Sequence, residues 1–192
     1  MLKKIARPYR FISTGTFYRY LKLAVKGAGG MVLNRKKALV SKQFGERIFL
    51  AVTGVNGCRY CSFYHAKLAL TSGMDRSEIS SMLSGEFGLV PEEEALALVF
   101  AQHYADTGGN PEPEAEKQFL EYYGEEKARV IRSHIAMITV GNFYGTAFDG
   151  LQSRLRLRPI EGSRLRDELG ITLGILFMLP VLLIDIPLSK VL

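Results

Sequence analysis

Glu46, Cys58, Cys61 and His65 have types and spacings that suit thiol chemistry. On a helix that begins at Cys58, positions 58, 61 and 65 are three and four residues apart, so two sulfurs and an imidazole share one face. A thiol at a helix N-terminus has its thiolate favoured by unpaired backbone N–H groups, and a neighbouring imidazole can take or return the thiol proton. Two thiols separated by two residues can also close a disulfide, one attacking and the other resolving the product. Zinc is a competing use, with His103 or His134 as a fourth ligand, but no second paired-ligand motif accompanies the three, and no metal is expected. Ser62 stands where covalent haem attachment would need a histidine. Inert buried thiols and a satisfied core histidine are the plainest alternative.

These groups need two elements to position them. Residues 46–55 read as one helix, Asn56-Gly57 as its stop, with glycine free to take the left-handed conformation, and 58–70 as the next helix. A reversal at that turn sets Glu46 three turns back on an antiparallel helix, facing His65 or a water beside Cys61. A carboxylate there orients the imidazole and accepts a proton.

The pattern E-x11-C-x2-C-x3-H, read from Glu46 through Cys58 and Cys61 to His65, resembles the signature of the alkylhydroperoxidase D-like (AhpD-like) branch of the carboxymuconolactone decarboxylase superfamily. The match covers some twenty residues directly, with looser similarity reaching about Leu155 through the helix that contains Asn142. The resemblance implies an all-α bundle of antiparallel helices that assembles as a homo-oligomer, with the dithiol site close to a subunit contact. It also implies that Cys61 attacks the O–O bond of a hydroperoxide substrate and becomes a sulfenic acid, which Cys58 resolves as an intramolecular disulfide. Glu46 and His65 would form the proton relay, and an external dithiol donor protein, rather than a resident cofactor, would restore the thiols. In the best-studied branch that donor is a lipoylated protein.

The peroxidase type often carries a histidine just before the second cysteine, where this chain has Tyr60. A phenol, with a pKa of about 10, is a poor proton shuttle near neutrality, so Tyr60 is assigned a supporting part. A dithiol–disulfide oxidoreductase or redox sensor without peroxide turnover is the variant reading. True carboxymuconolactone decarboxylases generally lack the cysteine pair, which argues against that activity.

The rest of the chain supplies the scaffold. Its 192 residues suit one domain, and 47% hydrophobic against 23% charged residues exclude extensive disorder. Two cysteines cannot staple a fold of this size, which fits a reducing compartment. Apolar residues return at helical intervals, and strand signals are scarce, which predicts an all-helical protein. Asp75 with Glu78 has capping-box spacing, and Pro91 before three glutamates is a strong helix start whose element should end near 107–111. Residues 112–123 and 125–155 read as two further helices, the second bent at Gly141 or Gly145, and 158–162 as a linker. The organisation expected is a basic N-terminal arm with a helix over 1–45, the helical domain over 46–155, and an apolar helical extension over 156–192. Gly27 to Gly30 lacks the strand and the lysine of a phosphate loop.

The net charge of +6 conceals a polarity, because eleven lysines and arginines and no acids precede Glu46, leaving −5 for the other 147 residues. Basic residues interleaved with Tyr9, Phe11, Phe17, Tyr18 and Tyr20 suit an anionic membrane surface or nucleic acid. The reading adopted is an arm that packs its aromatics on its own core or a partner, with no nucleic-acid partner. Residues 171–184 are uncharged, too short to span a bilayer, and kinked by Pro180. They read as a buried or interfacial helix, so a membrane-surface contact accompanies an expected cytoplasmic location without a secretory signal. A membrane-associated helical scaffold with incidental cysteines is the competing class.

Overall fold

The computed structural model describes residues 9–185, apart from the side chains of 183 and 185, and every regular element in that span is helical. In order these are α1 (Thr14–Gly27), α2 (Gly29–Lys37), α3 (Lys42–Asn56), α4 (Arg59–Thr71) and α5 (Arg76–Ser84). They are followed by α6 (Glu92–Asp106), α7 (Pro113–Leu155), α8 (Leu165–Thr172) and α9 (Ile175–Asp185). Lys3, Lys4 and Arg7 of the basic arm, and residues 186–192 of the apolar extension, lie outside the described residues.

Local chemistry explains most helix starts. Ser13 and Ser41 accept hydrogen bonds from the backbone N–H groups of Thr16 and Phe44, at 3.2 and 3.1 Å, which caps α1 and α3. The Ser41 cap begins α3 at Lys42, a turn ahead of the expected Glu46. The capping box expected at Asp75 and Glu78 does not form. Asp75 sits at the N-cap without a side-chain cap bond, while Glu78 accepts from Arg47 Nε at 2.6 Å. Charge-assisted pairing with a guanidinium outweighs a bond to a neutral backbone N–H.

Helix α3 is the centre of the bundle, with eleven of its fifteen residues buried, and it packs on α4, α5, α6 and α7. Ile48, Leu50 and Val52 join Met82, Leu98, Phe119 and Ile131 in the larger core cluster. Phe100 and Phe119 stack there at 4.0 Å between centroids. Arg47 is buried among them and bridges Glu78 and Glu94, the latter at 3.0 Å from Nη1. One cation thus ties α3 to α5 and α6.

A smaller cluster joins Phe17, Tyr20 and Leu21 of α1 to Phe143 and Ala147 of α7, Ile171 of α8 and Leu182 of α9. The aromatics Phe17 and Tyr20 of the basic arm therefore pack on the protein's own core. The glycine run is a helix-packing device: a Cβ at Gly30 would lie 2.8 Å from the Arg129 carbonyl oxygen, and Ser133 Oγ donates to the Gly27 carbonyl at 2.6 Å.

Helix α7 serves both clusters. Its break is at Gly124, with φ 69° and ψ 163°, between the two segments expected at 112–123 and 125–155. The bend expected at Gly141 or Gly145 is absent, because both keep helical geometry. The apolar run 171–184 is likewise interrupted at 173–174 rather than at Pro180, which lies inside α9. Gly174 supplies the weakest helical position there. Among the described residues, no helix is long and apolar enough to cross a membrane.

Candidate active site

The turn between α3 and α4 builds the site. Gly57 ends α3 with φ 72°, its N–H donating to the Thr53 carbonyl at 2.9 Å, a left-handed conformation that any side chain would strain. Helix α4 starts at Arg59, one residue later than expected, and Cys58 occupies its N-cap. The Cys61 backbone N–H donates to Cys58 Sγ at 3.2 Å, so sulfur takes the place usually held by a serine or aspartate oxygen.

Cys58 and Cys61 are joined in a disulfide, their Cα atoms 5.3 Å apart. Cys58 is completely buried, whereas Cys61 is partly exposed. Helix α7 forms the wall behind them: Cys61 Sγ lies 3.6 Å from the Gly141 carbonyl oxygen, and a Cβ at Gly145 would come within 2.8 Å of Cys58 Sγ and 3.3 Å of Cys61 Sγ. Only glycine lets the helix backbone approach the disulfide this closely.

The acid and the imidazole meet. Glu46 Oε2 lies 2.9 Å from His65 Nδ1, joining buried α3 to a largely covered side chain of α4 one turn beyond Cys61. An ionised Glu46 accepts from Nδ1–H, which leaves Nε2 of a neutral imidazole free to take a proton. Phe49 packs its ring against His65 at 4.8 Å and against a second imidazole, His134, at 5.6 Å.

The sequence offers His134 as a candidate fourth zinc ligand. It is buried, and its Nδ1 donates to the Val130 carbonyl at 2.9 Å. Burial lowers its pKa below the ordinary histidine range, against the opposing pull of the Glu46 carboxylate. The structure thus sets a neutral second histidine across Phe49 from the first, a proximity with no signal in local spacing. His103 lies elsewhere, accepting from the Glu112 N–H at 3.1 Å and holding the loop between α6 and α7. Tyr60 is turned toward the far end of α7, its hydroxyl donating to Gln152 Oε1 at 2.6 Å and its ring 6.2 Å from Phe148. With the sulfurs in a disulfide, they offer no thiolate to a metal, and no described cluster of His, Cys, Asp and Glu has the makings of a metal site.

Two further features were invisible in the motif. Arg59 bonds Asp149 Oδ1 at 2.8 Å, and Tyr9 donates to Asp149 Oδ2 at 2.8 Å, latching the start of α4 onto α7. Burial, then the Asp149 carboxylate, pushes the Tyr9 hydroxyl up to about 12, so it stays a proton donor. Buried polar side chains also occur on the two helices that hold the disulfide, α3 and α7. Thr53 Oγ1 donates to Asn142 Oδ1 at 3.0 Å, whereas the Asn56 amide, Asn142 Nδ2 and Thr146 Oγ1 are buried with no protein partner. Asn142 and Thr146 flank Gly145, and Asn56 precedes Cys58 by two residues.

No protein-family model, curated protein or solved structure matches this chain.

Proposed function

We propose that the chain is an AhpD-like thiol peroxidase, cycling between the Cys58–Cys61 disulfide and a dithiol and reducing hydroperoxides at Cys61. The observation that supports this most is the Glu46–His65 contact at 2.9 Å, one turn beyond the partly exposed member of the disulfide. A general base oriented by a carboxylate beside an accessible thiol is the arrangement that activates a nucleophile.

In the dithiol state, His65 takes the Cys61 proton, and the thiolate attacks the O–O bond. A sulfur–oxygen bond forms, the O–O bond breaks, and the departing alkoxide takes the proton held at His65 and leaves as an alcohol. Cys61 is then a sulfenic acid. The Cys58 thiol attacks its sulfur, water leaves, and the disulfide closes, so two thiols have given two electrons to the peroxide. A dithiol donor returns them. An incoming thiolate reaches partly exposed Cys61 rather than buried Cys58, which departs as a thiolate favoured by the Cys61 N–H at 3.2 Å. Peroxide and reductant thus meet the same sulfur.

A second reading rests on Tyr60. Its hydroxyl is bonded to Gln152, so it brings no second proton carrier to the sulfurs, which favours a dithiol–disulfide oxidoreductase or redox sensor without peroxide turnover.

Consumption of an organic hydroperoxide with dithiothreitol as donor tests both. The peroxidase reading expects turnover by the native chain, none by Cys61→Ser, and a loss of about 10²-fold in Glu46→Gln. No turnover by the native chain, or undiminished turnover by Cys61→Ser, refutes it. A native chain that exchanges its disulfide yet spares peroxide leaves the oxidoreductase reading standing, and failure of both activities removes the two together.

A further inference from the structure

The carboxyl-terminal end carries apolar surface that the fold leaves uncovered. Helix α9 packs on α1 and α8, and its Leu182 is 1% exposed in the smaller cluster. Its Leu176, Phe177, Val181 and Ile184, however, are 69, 74, 49 and 83% exposed. Leu173, between the two helices, and Leu165 and Leu169 of α8 are also exposed. Single exposed leucines are ordinary; a consecutive apolar helix that buries one described side chain is not.

Cations lie just ahead of this surface in the chain. Arg156, Arg158, Arg164 and Arg166 are all exposed on the approach to α8 and its first turn. The acids of α8 are drawn inward. Glu168 is 1% exposed and paired with Arg154 at 2.8 Å, and Asp167 accepts from the Thr14 N–H at 3.0 Å. Glu161 is an exposed acid in this stretch, and Arg166 Nε lies 3.9 Å from Asp167. The exposed face remains cationic.

The eleven described residues of α9 extend about 16 Å at 1.5 Å per residue, roughly half of a bilayer's hydrocarbon core. A helix uncharged up to Asp185 and preceded in the chain by arginines suits the plane between headgroups and acyl chains, its side chains entering the lipid and the guanidinium groups meeting phosphates. A second copy would bring identical arginines to the same contact, and like charges there oppose pairing. We propose that α9, with the arginine-bearing segment leading into α8, docks on an anionic lipid bilayer surface and lies in its interfacial plane.

Flotation of the full chain, in its disulfide form, with vesicles of equimolar phosphatidylglycerol and phosphatidylcholine tests this. Recovery with these vesicles, weakening as salt rises, and little recovery with phosphatidylcholine alone are expected. The double variant Leu176→Asp and Phe177→Asp should bind at least about tenfold more weakly. Both positions are exposed, so an unchanged circular dichroism spectrum separates lost docking from lost folding. Arg164→Gln with Arg166→Gln should lower partitioning about thirtyfold, at about 1 kcal/mol per arginine near an anionic surface. A full chain that does not float, or an aspartate variant that floats undiminished, overturns the proposal. So does a lipid-free dimer that the aspartate variant dissociates in the absence of flotation, which assigns the face to a second copy. Vesicle recovery does not depend on the thiols, so its failure leaves the peroxidase reading untouched.

Discussion

Helices α3 and α9 invert the usual relation between composition and burial. Helix α3 carries Lys42, Gln43, Glu46, Arg47 and Asn56, yet eleven of its fifteen residues are buried. Helix α9 is uncharged up to Asp185, yet Leu182 is its one described side chain that is fully covered. The difference lies in neighbours. Four helices surround α3 and supply partners for its polar groups, Glu78 and Glu94 for Arg47 and His65 for Glu46. Helix α9 packs chiefly on α1 and α8 among the described residues, and its outward side chains meet solvent. Burial in this protein follows position in the bundle, and the charged residues in the middle are tolerated where a partner of opposite charge is built in, whereas the Asn56 amide is buried without a protein partner.

The largest effect expected from breaking that contrast is at Arg47. Arg47→Met leaves buried Glu94 and partly buried Glu78 without their cation, and urea unfolding should show a loss of about 3–5 kcal/mol. Substituting Glu78 and Glu94 by glutamine in the same chain should recover much of it. The isolated exposed change Leu176→Ala on α9 should shift the midpoint little, because surface substitutions usually fall within about 0.5 kcal/mol.

A second comparison lies within α7. Gly145→Ala drives a methyl to 2.8 Å from Cys58 Sγ and should destabilise the disulfide form by about 1–3 kcal/mol, read from thermal unfolding. Gly141→Ala, four residues earlier, meets nothing within 4 Å and should stabilise by up to about 1 kcal/mol through helix propensity. Equal effects at the two sites would contradict close packing of α7 on the sulfurs.

The smallest effect is the pH dependence set by His134. Burial depresses its folded-state pKa, so from the ordinary histidine value of about 6.5 downward the unfolded chain binds a proton that the folded chain refuses. Stability should therefore fall as pH drops through that value toward the depressed folded one, with a slope of at most about 1.4 kcal/mol per pH unit from this group. Chemical denaturation of His134→Gln across pH 7 to 5 should show a flatter profile than the native chain.

The helical segments were legible because caps, prolines and apolar periodicity are local signals: Pro91 with its glutamates marks the start of α6, and the punctuation at 107–111 falls between α6 and α7. Glu46 and His65 could be placed from the turn at Gly57, since an antiparallel reversal fixes which residues face one another across two helices. Glu78 was misread because its spacing from Asp75 is local, while Arg47, which claims it, is 31 residues away. His134, Gly145 and the Arg59–Asp149 latch were hidden for the same reason, each depending on which part of α7 lies against α3 and α4.

By itself, the order of residues determined the helical segments, the polarity of charge and the pairing of two sulfurs with an imidazole at one-turn intervals, because these depend on neighbours within a few positions. Tertiary structure decided which cysteine is covered, which glycine admits a helix beside sulfur, and which acid meets Arg47. Those outcomes depend on distances between segments far apart in the chain, which packing alone sets.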